Sequence, residues 1–150
     1  MKNTVSIFDR LMGTCKDASI NNATLKDIVI RDLLNLLNTT CYFTDSNSNF
    51  NNSHIYQSVL NYGIHPLAGK CASEINWLMV EDGIKSAIRA FEPRIQTDSL
   101  VVHCHTKDLA HTTYNQVNIE ISGVILASPH PERFILQTNL DLETGNFELA

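Results

Sequence analysis

The chain has no apolar run approaching the ~20 residues that a bilayer-spanning helix needs. Its N-terminus, MKNTVSIFDRL, lacks the apolar core of a signal peptide. It has no CxxC pair. Cys15, Cys41, Cys71 and Cys104 are widely spaced, so reduced thiols in the cytoplasm are the simplest expectation. No phosphate loop of the GxxxxGKS or GxxxxGKT type occurs, and no Ser-His-Asp arrangement can be read from spacing. Positive charge is scarce: 11 Lys and Arg against 16 Asp and Glu leave a net charge of −5. That balance argues against a general binder of nucleic acid or anionic membranes. Tryptophan occurs once, at Trp77.

What remains is an ordinary globular composition. A hydrophobic fraction of 43% over 150 residues suffices for one domain with a sizeable core. The most ordered pattern is Trp77 to Ile95, WLMVEDGIKSAIRAFEPRI. Trp77, Val80, Ile84, Ala87, Ile88 and Phe91 recur at steps of three and four, forming one apolar helical stripe. Glu81, Asp82, Lys85, Ser86 and Arg89 take the other, solvated side. Pro93 pushes Glu92 out of the α region, so the helix is expected to end near Phe91 or Glu92. Arg94 and Ile95 then leave extended. A carboxylate and a guanidinium thus flank a rigid corner, where they can face something outside the domain.

Magnitudes say what such a pair is for. Six buried stripe residues at ~1.5–3 kcal/mol each supply on the order of 10 kcal/mol before entropy is subtracted. An exposed ion pair adds roughly 0–1 kcal/mol. Truncating one partner of a pair desolvated at an interface costs about 2–5 kcal/mol. On this reasoning Glu92 and Arg94 serve binding, or else they merely solvate a helix end and an exposed strand.

Ahead of that helix, Ser6 to Leu11 reads as a short amphipathic helix with Ile7, Phe8 and Leu11 apolar. A polar linker, Gly13 to Asn22, follows it. Residues 1–22 therefore form a separate segment that either tucks onto its own domain or docks on another chain. Residues 23–150 form a single domain. Within it, Thr24-Leu25-Lys26-Asp27 resembles a capping box opening a helix to about Asn38. Its apolar arc runs over Leu25, Ile28, Val29, Ile30, Leu33, Leu34, Leu36 and Leu37, wide enough to imply contact with more than one element. Asp45 to Ser53 reads as a loop and His54 to Tyr62 as a second short helix. Gly63 then supplies a left-handed stop.

After Pro93 the apolar period changes from 3.6 to 2. Leu100 and Val102, then Val117, Ile119 and Ile121, then Phe134, Leu136 and Leu140 alternate with polar neighbours. Turns fall at Asp108 to Thr113 and Ser128 to Pro131, and Thr144-Gly145-Asn146 turns a closing hairpin into Phe147 and Leu149. Helices first and strands afterwards predict an α+β fold with an antiparallel-rich sheet packed on helices.

Several of these segments, SIFDRL, RDLLNLLNTT, SVLNYGIHPLAG, IKSAIRAFEPRI and LQTNLDLETGNFEL, resemble in order and spacing the baseplate wedge family of contractile-tail phages. That family carries a lysozyme-like label, and the TssE branch of bacterial type VI secretion systems is the one this chain is most similar to. The match covers nearly the whole chain. Glu92-Pro93-Arg94 is its most specific element, then Asn61-Tyr62-Gly63. One departure is Thr40, where the family often has Arg after Leu-Leu-Asn-Thr. The resemblance implies a cytoplasmic structural protein of a baseplate assembled at the inner membrane, joining the wedge to the first ring of the contractile sheath. It also implies a fold similar to the sheath's interlocking domain, in which neighbours exchange strands. A sheet ending in a short hairpin can offer such an edge. Glu92, Pro93 and Arg94 are then expected to contact baseplate or sheath neighbours, and Ile7, Phe8 and Leu11 to dock on the wedge.

Two sharper chemistries compete with that reading. A glycosidase needs two carboxylates about 5–9.5 Å apart across a sugar cleft, one with a raised pKa. Glu81 and Asp82 diverge on a helix, Glu92 is set for ionisation beside Arg94, and Trp77 lies on the core stripe. The chain is therefore expected not to be an enzyme. A zinc site could draw on His103 and His105, two apart on a strand, with His111 after a turn. A closed tetrahedral site needs a fourth ligand, though, and Cys104 points to the other face. Solvated strand histidines are the simpler reading, and no cofactor is expected.

Overall fold

A computed structural model describes residues 11, 22–42, 58–105 and 115–150. The fold is α+β. Two helices, α1 (Asn22–Leu37) and α2 (Trp77–Phe91), lie against a sheet of four antiparallel strands. These are β1 (Val101–His105), β2 (Gln116–Ile125), β3 (Glu132–Asp141) and β4 (Phe147–Leu149), in the order β1-β2-β3-β4. The expected turn at Asp108 to Thr113, the loop at Asp45 to Ser53 and the N-terminal segment apart from Leu11 lie outside the described residues.

Period-2 patterning decides which face of the sheet meets the helices. Val102, Val117, Ile119, Ile121, Phe134, Leu136, Leu140 and Phe147 are all buried on the helical side. Val101, His103, His105, Ile135 and Gln137 alternate with them and stay exposed on the other. Register carries the pattern across strands, pairing Val102 with Ile121 and Ile121 with Leu136. Thr138, wholly buried, avoids an unsatisfied hydroxyl by donating to the Ile119 carbonyl at 3.2 Å.

The helices behave as their stripes dictate. In α2 Ile84, Ala87 and Ile88 are buried, and Trp77, Val80 and Phe91 pack partly buried against the core. The wide arc of α1 has the consequence expected of it, since that helix touches α2, β3 and β4. Among the described residues no helix is long and apolar enough to cross a membrane.

One expectation needs correcting. The described part of the second short helix is only a 3-10 turn, Val59–Asn61, after which Tyr62 is extended. Gly63 has φ +125°, but its role is close approach more than helix termination. A Cβ there would lie 2.3 Å from the Thr39 carbonyl oxygen. Without one, the Ile64 N–H reaches Thr39 O and the Cys41 N–H reaches Ile64 O, both at 2.9 Å. The exit of α1 is thereby sewn parallel to Tyr62-Gly63-Ile64 through a Thr40–Ile64 bridge. Where the family often has Arg, Thr40 is exposed.

Two glycine substitutions should move stability in opposite directions. Gly63→Ala is expected to destabilise by about 3 kcal/mol, because backbone strain and a backbone clash coincide. Gly83→Ala, on a helical site with open space around the new methyl, is expected to stabilise by about 0.5–1 kcal/mol. Urea denaturation of the two variants measures both.

Candidate functional site

The elbow after α2 is built by backbone first. The Glu92 N–H still donates to Ile88 O at 2.8 Å, completing the last helical turn, while Glu92 itself sits at φ −121°, ψ 78°. Pro93 is exposed, and Ile95 N–H closes the turn on Glu92 O at 3.2 Å. The chain then joins the sheet ahead of β1, alongside the end of β2. Leu126 N–H donates to Arg94 O at 2.8 Å, and Gln96 N–H donates to Val124 O at 2.9 Å. Helix end, proline corner and sheet edge thus fix Arg94 on both sides.

The side chains close on one another. Glu92 is 5% exposed. Its carboxylate accepts from Arg94 Nε at 2.6 Å, from Arg94 Nη2 at 2.5 Å and from the Arg94 backbone N–H at 3.2 Å. Arg94 Nη2 also donates to Asp32 Oδ2 at 2.6 Å, and Arg31 Nη2 pairs with Asp32 Oδ1 at 3.0 Å. Hydrogen bonding to Glu92, opposed by burial and reinforced by Asp32, holds the Arg94 guanidinium above its ordinary pKa. Tyr62 stacks edge-on against Phe91 with ring centroids 5.2 Å apart. Burial first, then the nearby carboxylates of Asp32 and Glu92, raises its phenol pKa. Segments far apart in sequence (Arg31-Asp32, Tyr62 and Glu92-Pro93-Arg94) therefore meet in one cluster.

This arrangement corrects the orientation read from sequence. Glu92 neither solvates a helix end nor turns outward; it is drawn inward to neutralise a guanidinium whose side chain is 16% exposed. The reason is geometric. With Pro93 between them, the i,i+2 spacing lets the planar guanidinium meet the carboxylate two-pronged, and the low-dielectric wall of Phe91 and Tyr62 strengthens the pair. Asp32, on α1, is the partner that sequence reasoning missed. Helical periodicity carries no signal for a contact 62 residues away.

Other sequence candidates are dispersed. Leu11, described as helical, is 80% exposed; Ile7 and Phe8 lie outside the described residues. His103 and His105 are exposed on the outer face of β1, Cys104 points toward α2, and His111 lies outside the described residues. No group of three or more metal-ligating side chains assembles among the described residues. Glu81 is committed to the Cys104 backbone N–H at 2.8 Å, and Asp82 lies 3.9 Å from Lys85. Trp77 Nε1 donates to Ala72 O at 3.3 Å. A groove between the end of α1 and the β3–β4 hairpin is lined by Leu37, Asn38, Ile64, Leu67 and Phe147 among others, and no Asp or Glu lines it.

A protein of this kind has a small α+β frame whose most elaborate polar cluster is spent on tying its own elements together. The comparisons agree with that class. A family model described as Baseplate wedge protein gp25 matches residues 23–130, and the chain belongs to that family. It is thus a structural baseplate wedge component of a contractile tail, which assembles with other baseplate components. Nothing among the curated proteins or the solved structures matches the chain.

Two measurements test the site's electrostatics. Arg94→Ala leaves the buried Glu92 carboxylate without its guanidinium. It should lower stability by about 3 kcal/mol, near the low end for breaking a buried pair because Arg94 keeps some exposure. Arg94→Lys should rescue little of that loss, since an ammonium cannot form the two-pronged contact. Burial first, then Glu81, pushes the Cys104 thiol up to about 12 against the opposing pull of Lys85. A raised folded pKa means that the stability it confers is whole below the ordinary thiol range and is lost as pH climbs toward that value. At pH 8 Cys104 should resist a thiol reagent that labels the exposed Cys71, as read by mass spectrometry.

Proposed function

We propose that this chain is the joint of a type VI secretion baseplate, linking the wedge to the first ring of the contractile sheath. The observation that carries the reading is the elbow itself. Its Glu92–Arg94–Asp32 contacts tie α1, α2 and the sheet to one another, and a joint transmitting force between neighbours requires such ties. Glu92 and Arg94 act by holding Pro93 and the rim of the Arg94–Asp32–Arg31 cluster in a fixed pose for a neighbouring wedge or sheath subunit. Ile7, Phe8 and Leu11 dock the N-terminal segment on the wedge, and the exposure of Leu11 favours docking over tucking. A sheath strand adds to an edge of the sheet. The machine resides in the cytoplasm at the inner membrane; that location rests on the resemblance to the TssE branch. A phage-like tail is the alternative setting, and the same contacts would serve it.

The role is mechanical, not catalytic. Glu81 and Glu92, the carboxylates that a muramidase reading would recruit, are both engaged in hydrogen bonds within the fold. Purified cell wall incubated with the pure protein should show no turnover, and measurable turnover would reverse the assignment.

Assembly is tested with a variant that spares the core. Replacing Ile7, Phe8 and Leu11 together with serine should leave the thermal transition in place. It should also reduce co-purification with wedge subunits by roughly thirty-fold or more, the scale of losing ~2 kcal/mol at a central contact. Unchanged co-purification with wedge and sheath subunits would remove the N-terminal docking contact from the proposal.

A further inference from the structure

An open sheet has two edges, and in this molecule both are blunted by side chains. Along an antiparallel strand, alternate residues direct their N–H and C=O groups toward one neighbour and then away from it. Asp141 N–H donates to Asn146 O and Ala150 N–H donates to Gln137 O, both at 3.0 Å, so residues 146, 148 and 150 face β3. Phe147 and Leu149 therefore turn their backbone groups to the outer edge of β4. At Phe147 both groups are occupied. Asn38 Nδ2 donates to Phe147 O at 3.0 Å, and Asn38 Oδ1 accepts from Phe147 N–H at 2.8 Å. One carboxamide thus makes the donor–acceptor pair that a residue of an added strand would make.

The edge of β1 is closed differently. Its outward Cys104 N–H is taken by Glu81, and Val102 is wholly buried under the helical layer. That leaves β4. Leu149 is 60% exposed, and its outward backbone groups have no partner among the described residues.

We propose that Asn38 is a removable plug on the outer edge of β4. An extended segment of a sheath subunit pairs first with Leu149 and then displaces the carboxamide from Phe147. This rests on the strand-addition reading given above. Side chains directly opposite each other in a sheet share a face. Incoming residues opposite Phe147 and Leu149 therefore point to the helical side, and the first of them lies over the groove lined by Leu37, Ile64 and Leu67. The segment recognised is therefore an apolar–polar–apolar strand. While the plug is seated, β4 offers a single open residue, a shorter template for an unrelated exposed edge than the bare strand would be.

Amide exchange on the free protein, read by NMR, tests the plug. In the wild type the Phe147 amide should be protected and the Leu149 amide should exchange fast. Asn38→Ala should accelerate exchange at Phe147 while the amides of β2 and β3 keep their protection. Asn38→Leu, which keeps the bulk of the side chain and removes both its acceptor and its donor, gives the same readout at Phe147 if the alanine variant does not fold. Unchanged Phe147 exchange in a folded variant overturns the plug. With the purified sheath subunit as probe, Asn38→Ala should bind about ten-fold tighter than wild type, because the incoming strand no longer displaces two hydrogen bonds. Leu149→Pro, which deletes the open N–H, should bind far more weakly. Equal or weaker binding by Asn38→Ala makes Asn38 a contact and not a plug, and overturns the proposal. If no variant binds the sheath subunit while Phe147 exchange still depends on Asn38, strand addition itself fails and Asn38 is an internal cap alone.

Discussion

The Arg94 guanidinium sits where three parts of the molecule must agree. Its backbone carbonyl accepts from Leu126 beyond β2, its Nε and Nη2 hold the carboxylate at the end of α2, and Nη2 reaches Asp32 on α1. A charge so nearly enclosed is tolerable only if every partner stays in place, because an unpaired buried ion costs several kcal/mol. Displacing any one element therefore leaves a desolvated charge without a partner. Hydrophobic burial of the two stripes supplies the bulk of the driving force but is non-directional. The two-pronged contact has an angle and a length. It selects one relative setting of helices and sheet among the many that an apolar interface would accept.

A second tie, made of backbone, works on the far side of α1. Gly63 lets the chain approach Thr39 within hydrogen-bonding distance, and the Thr40–Ile64 bridge follows. Tyr62, immediately before it, completes the wall of the charged cluster against Phe91. The tight backbone crossing and the ionic cluster are thus adjacent, and strain at one would be felt at the other.

The sheet has one dressed face and one bare face, and its edges are guarded by groups borrowed from the helices. Asn38 comes from the end of α1 and Glu81 from α2. Both are polar residues whose sequence context suggested nothing beyond a helix end and a solvated side. Each satisfies a backbone group that would otherwise invite pairing with another chain. A baseplate protein must meet particular neighbours and ignore others, so control of its edges matters as much as the core.

Sequence alone determined the helix from Trp77 to Phe91, its end before Pro93, the alternation of β2 and β3 and the closing hairpin. Each is a local or periodic property, written in the spacing of apolar residues and in the φ restriction of proline. It also carried the motifs Asn61-Tyr62-Gly63 and Glu92-Pro93-Arg94, though not their purpose. Only the tertiary structure decided that Glu92 turns inward, that Asp32 rather than a neighbour in sequence completes the cluster, and that Asn38 and Glu81 close the sheet edges. Those outcomes depend on which distant groups share a low-dielectric space, and nothing in the spacing of residues along the chain encodes that distance.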